Sequence, residues 1–347
     1  MSERLSRRAT MADVARLAGV STATVSRVIN ETATVAAETA SRVRAAIETL
    51  DYRPHTAARI LAGHRTKTLG LTFPQISGYY FAALLRGIAS GAAAHGYDLL
   101  IYSEQETIRN RTASPYPVGE HNTDGLLLFT DSLPESELRR LHARGFPVVL
   151  IHWSPPEDLN IPCVTIENKS SAARLVDHLI TVHGCRRIVF LAGPEGHEDS
   201  RWREKGYRQA LAARGIAVDP ELIAEGGFSH EIAHSTMLRL LEAGVRFDAV
   251  FAGDDDSAVG AMTALSDAGK RIPEDVAVVG FDDIEIAQYL TPPLTTVRAP
   301  VEQVGREAVD QLVRLIQTGE ADLLTLLSTK LVIRHSCGCG VTTRKEV

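Results

Sequence analysis

The chain has 347 residues, 44% hydrophobic and 23% charged, with a formal net charge of −6. That length exceeds one ordinary domain and is enough to bury two or three cores, and the composition is that of a soluble globular protein. No apolar run approaches the ~18 residues of a membrane span, no apolar segment follows the arginines of MSERLSRRATMADV as a secretory signal requires, and four scattered cysteines imply a reducing cytoplasm rather than a disulfide framework.

The overall charge hides an asymmetry. Residues 1–67 hold 11 Lys and Arg against 6 Asp and Glu, a net of +5, while the rest of the chain holds 26 against 37, a net of −11. A basic head on an acidic body is the electrostatic footprint of a nucleic-acid-binding module joined to something else. Within the head, Thr10 and Asp13 form a helix start signal, with Val14, Leu17 and Ala18 expected on one buried face. Gly19 stops that helix. Ser21 caps a second one, whose buried stripe is Val25, Val28 and Ile29 and whose other face carries Thr22, Ala23, Ser26, Arg27 and Asn30. Val43, Ile47 and Leu50 form a third stripe. Two helices joined through Gly-Val-Ser, the second small and polar at its outward N-terminus, fit a helix-turn-helix.

From about residue 68 the pattern changes. TLGLTF, YDLLIYS, DGLLLF, PVVLIHW, RRIVFLAG, DAVFAG and DVAVVGF read as strands, with helical stretches such as FAALLRGIASGAAAHG, SSAARLVDHLITVHG and WREKGYRQALAARG between them. Apolar strands separated by amphipathic helices imply parallel sheets covered on both faces. Their number exceeds one comfortable sheet, so two doubly wound subdomains with a ligand cleft between them are expected. Residues 104–123, with two prolines, one glycine and many polar side chains, read as a loop.

The run DVARLAGVSTATVSRVIN followed by YRPHTAARILAG resembles the DNA-binding head and hinge of the lactose-repressor (LacI/GalR) family of bacterial transcription regulators. The body segments GYYFAALLRGI, TDGLLLF, FPVVLI, CRRIVFLAGP, FDAVFAGDDDSAVGAMTAL, IPEDVAVVGFDD and LTTVRAP follow in that family's order, so the resemblance covers nearly the whole chain. It implies an N-terminal all-α helix-turn-helix head with a hinge helix, then an α/β periplasmic-binding-protein-like body of two doubly wound parallel-sheet subdomains. The expected division is head 1–53, hinge and linker 54–67, one subdomain from 68–165 plus 297–328, the other from 166–296 plus 329–340, and a tail at 341–347.

By the same resemblance, Thr22, Ala23 and Arg27 read base edges in the major groove, where Arg27 suits guanine and the Thr22 and Ala23 methyls suit thymine. Ser26, Asn30 and Tyr52 are expected on phosphates. Leu61 falls on the family's apolar wedge, which enters the minor groove and unstacks a base step. The hinge at 54–63 is too short to be stably helical alone, since isolated helices below ~12–15 residues are marginal. The family tends to place Ser and Arg where this chain has Ala36 and Ala40, so the third helix lacks a serine cap.

In the body, the resemblance places Arg203 and Phe228 on the effector, with Tyr80 and Phe81 on the opposite wall. Asp254 and Asp282 follow strands at the end where open α/β sheets bind ligands; by resemblance they are the ligand acceptors and Asp255 is structural, while end-of-strand logic has one carboxylate of the Asp254–Asp256 run facing the cleft and the others capping the next helix. After PVVLI the family commonly has an acid and an arginine, whereas this chain has His152 and Trp153. Both are expected in the cleft, and they weaken transfer of any named sugar. Cys337 and Cys339, even with His335, supply three ligands where zinc prefers four, so no metal site is expected.

Phosphate-loop, zincin, Gly-x-Ser-x-Gly and Cys-x-x-Cys motifs are absent, so no catalytic residue, cofactor or enzymatic activity is expected. The expected function is that of a cytoplasmic, homodimeric repressor of carbohydrate-metabolism genes. It binds a near-palindromic double-stranded operator and is released by a small sugar-like effector. No apolar heptads follow the body, which favours a dimer over a dimer of dimers. An activator, or a regulator whose ligand is a nucleobase and promotes DNA binding, is the alternative; the sequence leaves the sign of the coupling open. A solute-binding protein or an α/β enzyme ranks last.

Overall fold

The computed structural model describes residues 9–30, 34–52, 65–73, 78–103, 116–130 and 132–340. The expected hinge, the greater part of the 104–123 loop and the tail therefore lie outside the described residues. The chain divides between Thr66 and Lys67 into two compact units.

In the first unit, α1 (Met11–Ala18) opens with a reciprocal capping box: the Asp13 amide donates to the Thr10 hydroxyl, and the Thr10 amide donates to the Asp13 carboxylate at 3.0 Å. It closes at Gly19 in the left-handed conformation, where the amides of Gly19 and Val20 return to the carbonyls of Arg16 and Ala15. Ser21 caps α2 (Thr22–Asn30) through the Thr24 amide at 3.1 Å. The third helix, α3 (Ala37–Thr49), begins at Ala36 with no side-chain cap. It ends in the same closed turn as α1, with Asp51 at φ 42° and the Tyr52 amide bonded to the Ile47 carbonyl. Val14, Ala15, Ala18, Val25, Val43, Ala46 and Tyr52 are buried together, with Val28, Ile29, Ile47 and Leu50 packed around them.

Leu17 corrects the expected stripe, because it is 53% exposed. At 100° per residue, Val14, Ala15 and Ala18 already span the buried arc, and Leu17 falls outside it.

The second unit carries two parallel sheets. The larger has the order β11-β5-β4-β3-β1-β2, drawn from β1 (Thr68–Phe73), β2 (Asp98–Ser103), β3 (Gly125–Phe129), β4 (Val148–Ile151), β5 (Cys163–Ile166) and β11 (Leu324–Leu327). The smaller has the order β7-β6-β8-β9, from β6 (Ile188–Ala192), β7 (Ile223–Glu225), β8 (Ala249–Ala252) and β9 (Ala277–Val279). A short antiparallel pair, β10 (Thr296–Arg298) with β12 (Lys330–Val332), completes the strands among the described residues. β1, β3, β4, β6 and β8 are almost wholly buried, as continuous apolar runs require.

The helices are α4 (Gly78–Ala94), α5 (Glu135–Ala143), α6 (Asn168–His183), α7 (Glu198–Ala213), α8 (His230–Glu242), α9 (Asp255–Asp267) and α10 (Val301–Thr318). They pair as α4 on α10, α6 on α7 and α8 on α9. One approach positions the site below. Gly206 of α7 packs so closely on α6 that a Cβ there would lie 2.3 Å from the Lys169 carbonyl. A single apolar core joins Leu69, Leu71 and Phe73 of the larger sheet to Phe190 and Phe251 of the smaller sheet and to Phe281 just beyond β9. Strands β5, β7, β10, β11 and β12 escape the apolar-run reading, because each is short and interrupted by at least one polar residue. No helix among the described residues is long and apolar enough to cross a membrane.

Candidate functional site

In the body, loops leaving the C-terminal ends of several strands converge on the first turns of α7. Arg203, only 2% exposed, donates from Nε to Asn168 Oδ1 at 2.9 Å, from Nη1 to the Gly253 carbonyl at 2.6 Å and from Nη2 to Asp282 Oδ1 at 3.3 Å. Its guanidinium lies over the Phe281 ring at 3.9 Å and faces Phe228 at 5.6 Å. Asp199, one turn earlier on the same helix, accepts from Asn168 Nδ2 at 2.8 Å and meets His152 Nδ1 at 3.0 Å. The other nitrogen of His152, Nε2, is 2.5 Å from the Tyr80 hydroxyl, and the His152 carbonyl accepts from Thr130 Oγ1. A continuous buried chain thus runs Tyr80–His152–Asp199–Arg203–Asp282, linking α4 and β4 of the larger sheet to α7 and β9 of the smaller.

Backbone geometry fixes the bends in this chain. His152, Phe228, Asp282 and Asp283 all have positive φ (56°, 52°, 108° and 58°). Non-glycine residues held there carry local strain, of order 1–3 kcal/mol each, and persist only where surrounding contacts fix them. Phe228 is fixed from below, since a Cβ on Gly193 would lie 2.4 Å from its ring. Beside the chain opens a cavity of about 530 Å3, reached by Tyr80 and Asp282 and walled by Tyr79, Arg86 and Arg298.

Electrostatics divide the carboxylates. Burial opposes charge on Asp199, but His152 and Arg203 overcome it and hold that carboxyl well below the usual range. Burial raises Asp282 despite Arg203, with the Asp199 charge adding to the rise. Burial, then the Asp282 charge, pushes Asp254 up to about 7. Burial likewise drives the Tyr80 phenol well above its ordinary value. The site therefore holds more acceptors than cations, and suits a ligand that brings hydrogen-bond donors.

Asp254 itself caps α9, accepting from the Ser257 amide at 3.0 Å. Asp255 is structural, accepting from the Ile284 amide and from Thr296 Oγ1. Phe81 packs against Phe73 and Phe129, with centroids 5.2 and 5.3 Å away, and so supports the Tyr80 wall from behind. Trp153 does not join the buried chain. It packs with Leu126, Leu150 and Ile161 and lines a different cavity of about 330 Å3, with Cys163, Glu198 and Trp202. Consecutive side chains leaving a strand point to opposite faces, so His152 and Trp153 part at the end of β4. Asp199 and Asn168 were not anticipated. The i,i+4 spacing of Asp199 and Arg203 was the available signal.

In the head, Thr22, Ala23 and Arg27 are exposed on α2 and Ser26 is half-buried beside them. The Asn30 side chain and Leu61 lie outside the described residues. Tyr52 is 7% exposed, its ring set in the head core by the turn that closes α3.

Residues 10–55 match the family model for bacterial regulatory proteins of the lacI family, and residues 176–337 match that for a periplasmic binding protein-like domain. The HTH-type transcriptional repressor PurR of Edwardsiella ictaluri is 33% identical over 334 residues, spanning 96% of this chain and 98% of the relative. Among solved structures, the lac repressor dimer bound to operator and the anti-inducer ONPF aligns with a TM-score of 0.80 at 27% identity, covering 95% of this chain and 99% of that one. A complex of the transcriptional regulator CelR with cellobiose aligns at 0.69 and 31% identity, covering 95% and 100%. With a helix-turn-helix head, a parallel α/β body and relatives matched end to end, the chain belongs to the LacI family of bacterial regulatory proteins and is a DNA-binding transcriptional regulator.

Proposed function

We propose that the protein is a cytoplasmic, homodimeric repressor whose hold on a near-palindromic operator is set by a small polar effector bound between the two sheets of its body. The observation that carries this reading is the buried chain from Tyr80 to Asp282, which ties the two sheets together with the protein's own charges. A ligand that takes over some of these contacts changes how the sheets are tied, and a coupling of ~1–3 kcal/mol between sites changes DNA affinity about 5- to 150-fold. Thr22, Ala23 and Arg27 read bases, Ser26 and Asn30 meet phosphates, and Leu61 is the minor-groove wedge. Arg203, Asp254 and Asp282 hold the effector's polar edge, with Phe228 against its face, Tyr80 opposite, and His152 in place of the family's usual acid.

The acceptor excess favours a sugar-like ligand, whose hydroxyls donate to Asp254 and Asp282 while its apolar face meets Phe228. Support comes from the cellobiose complex of CelR, whose chain is 31% identical. A nucleobase is the second reading, favoured by the aromatic face of Phe228 beside carboxylates that accept N–H groups.

Calorimetry of the full chain against mono- and disaccharides, polyols and nucleobases separates the two readings. The ligand found is then added to an operator-binding assay. Asp282→Asn must weaken that ligand; unchanged affinity in Asp282→Asn moves the site elsewhere. Operator binding itself must fall steeply with salt, since each neutralised phosphate adds about −0.9 to the log–log slope.

A further inference from the structure

The C-terminal Cys337-Gly338-Cys339 turn does not stand alone. It is brought against the end of α6, where His178 and His183 present their Nε2 atoms to the two sulfurs. We propose that these four side chains form a tetrahedral Cys2His2 site for a borderline-soft divalent cation, Zn2+ foremost, which fastens the C-terminal segment to α6.

The spacing carries the argument. His178 Nε2 and His183 Nε2 are 3.3 Å apart; His178 Nε2 is 3.6 Å from each sulfur, and Cys339 Sγ is 3.4 Å from His183 Nε2. All four ligand atoms lie within 4.8 Å of one another. With Zn–N of ~2.0–2.1 Å and Zn–S of ~2.3 Å, a regular tetrahedron has N–N edges of roughly 3.3–3.4 Å and N–S edges of roughly 3.5–3.6 Å. The four recorded edges fall at or close to those lengths. One mixed set of two imidazoles and two thiols also matches a donor combination zinc prefers in closed structural sites, and soft thiolates disfavour magnesium or calcium.

The surrounding fold holds this geometry without the ion. Ser336 bonds the backbone of Val278 through its carbonyl and its hydroxyl, and its oxygen accepts from the Thr295 amide. Thr295 Oγ1 donates to Cys337 Sγ at 3.2 Å, the kind of outer contact that orients a ligating thiolate. Gly338 has φ 107°, and a Cβ there would press to 3.1 Å from the His183 ring. Glycine between the cysteines is what lets the turn approach. The site is structural rather than regulatory, because His178 lies ten residues along α6 from Asn168, about 15 Å at 1.5 Å per residue.

The test is metal content of the reduced full chain by mass spectrometry, for the wild type, Cys339→Ser, Cys337→Ser and His178→Cys. Expected are about one Zn2+ per chain in the wild type and in His178→Cys, which keeps four ligands, and near zero in both serine variants. Co2+ replacement gives tetrahedral visible bands with thiolate-to-cobalt charge transfer. Chelation of the wild type lowers its melting temperature and Zn2+ restores it. Absence of stoichiometric metal with no cobalt spectrum overturns the assignment, as does full metal retention in both serine variants. A Cys337–Cys339 disulfide in protein purified under reducing conditions overturns it as well. If the serine variants fail to fold, the cobalt spectrum of the wild type decides.

Discussion

Replacing Arg203 by alanine removes the only cation that Asp282 contacts directly among the described residues and leaves the carbonyl of Gly253 and the amide oxygen of Asn168 without that donor. Taking one partner from a buried ion pair destabilises a fold by about 3–5 kcal/mol, because the other charge stays buried and uncompensated. At roughly 2–4 °C per kcal/mol for a large domain, the body should melt about 6–20 °C lower. The loss should depend on pH. Asp282 already has a raised carboxyl pKa, and without Arg203 it rises further, so its charge weighs on the folded state only as pH climbs. The deficit is therefore larger near about pH 8 than near about pH 5, as read by calorimetric melting of the full chain. Adding Asp282→Asn should recover part of it, with a coupling of about 0.5–3 kcal/mol. Co-melting of Arg203→Ala with the wild type at the higher pH, or an equal loss at both, refutes the buried-charge account. The same reasoning means that ligand and DNA binding by Arg203→Ala must be read at a temperature where the variant is folded.

Asp254, with a folded pKa of about 7, contributes stability that is full in acid and is lost as pH rises toward and through that value. Asp254→Asn should flatten this loss and melt above the wild type in mild alkali, whereas Asp199, held low, costs stability only as pH falls below the ordinary carboxylate range. Gly193→Ala forces the Phe228 ring away from a Cβ that would sit 2.4 Å from it, and should destabilise by about 1–3 kcal/mol in thermal melts, an effect that Phe228→Leu relieves. Ala36→Ser supplies the missing cap of α3 and should slow amide exchange in that helix by an amount corresponding to about 0.5–2 kcal/mol.

Much of this protein was written locally. A hydroxyl followed three residues later by a carboxylate starts α1, Gly19 ends it, and Ser21 starts α2, because helix ends are settled by groups within four residues. The apolar runs other than that of edge strand β2 became buried parallel strands for a similar reason: a run of such side chains finds no solvent face in a sheet covered on both sides. Asp254 and Asp282 were legible as residues at the ends of such strands, whereas Arg203 was placed by the family resemblance.

What only the tertiary structure decided were matters of direction and distance. Adjacent in sequence, His152 joins the Tyr80–Asp199 chain while Trp153 lines a separate cavity. Tyr52, polar at its tip, is turned into the head core by the closing turn of α3. Asp199 gained its role from His152, 47 positions earlier, and Cys339 gained two imidazoles from a helix more than 150 residues earlier. Sequence spacing counts only the ligands of one segment, and of those near the C-terminus only Cys337 and Cys339 belong to the cluster. Packing β12 and the turn after it against α6 brings in two more, because a fold assembles its sites from side chains close in space, whatever their separation along the chain.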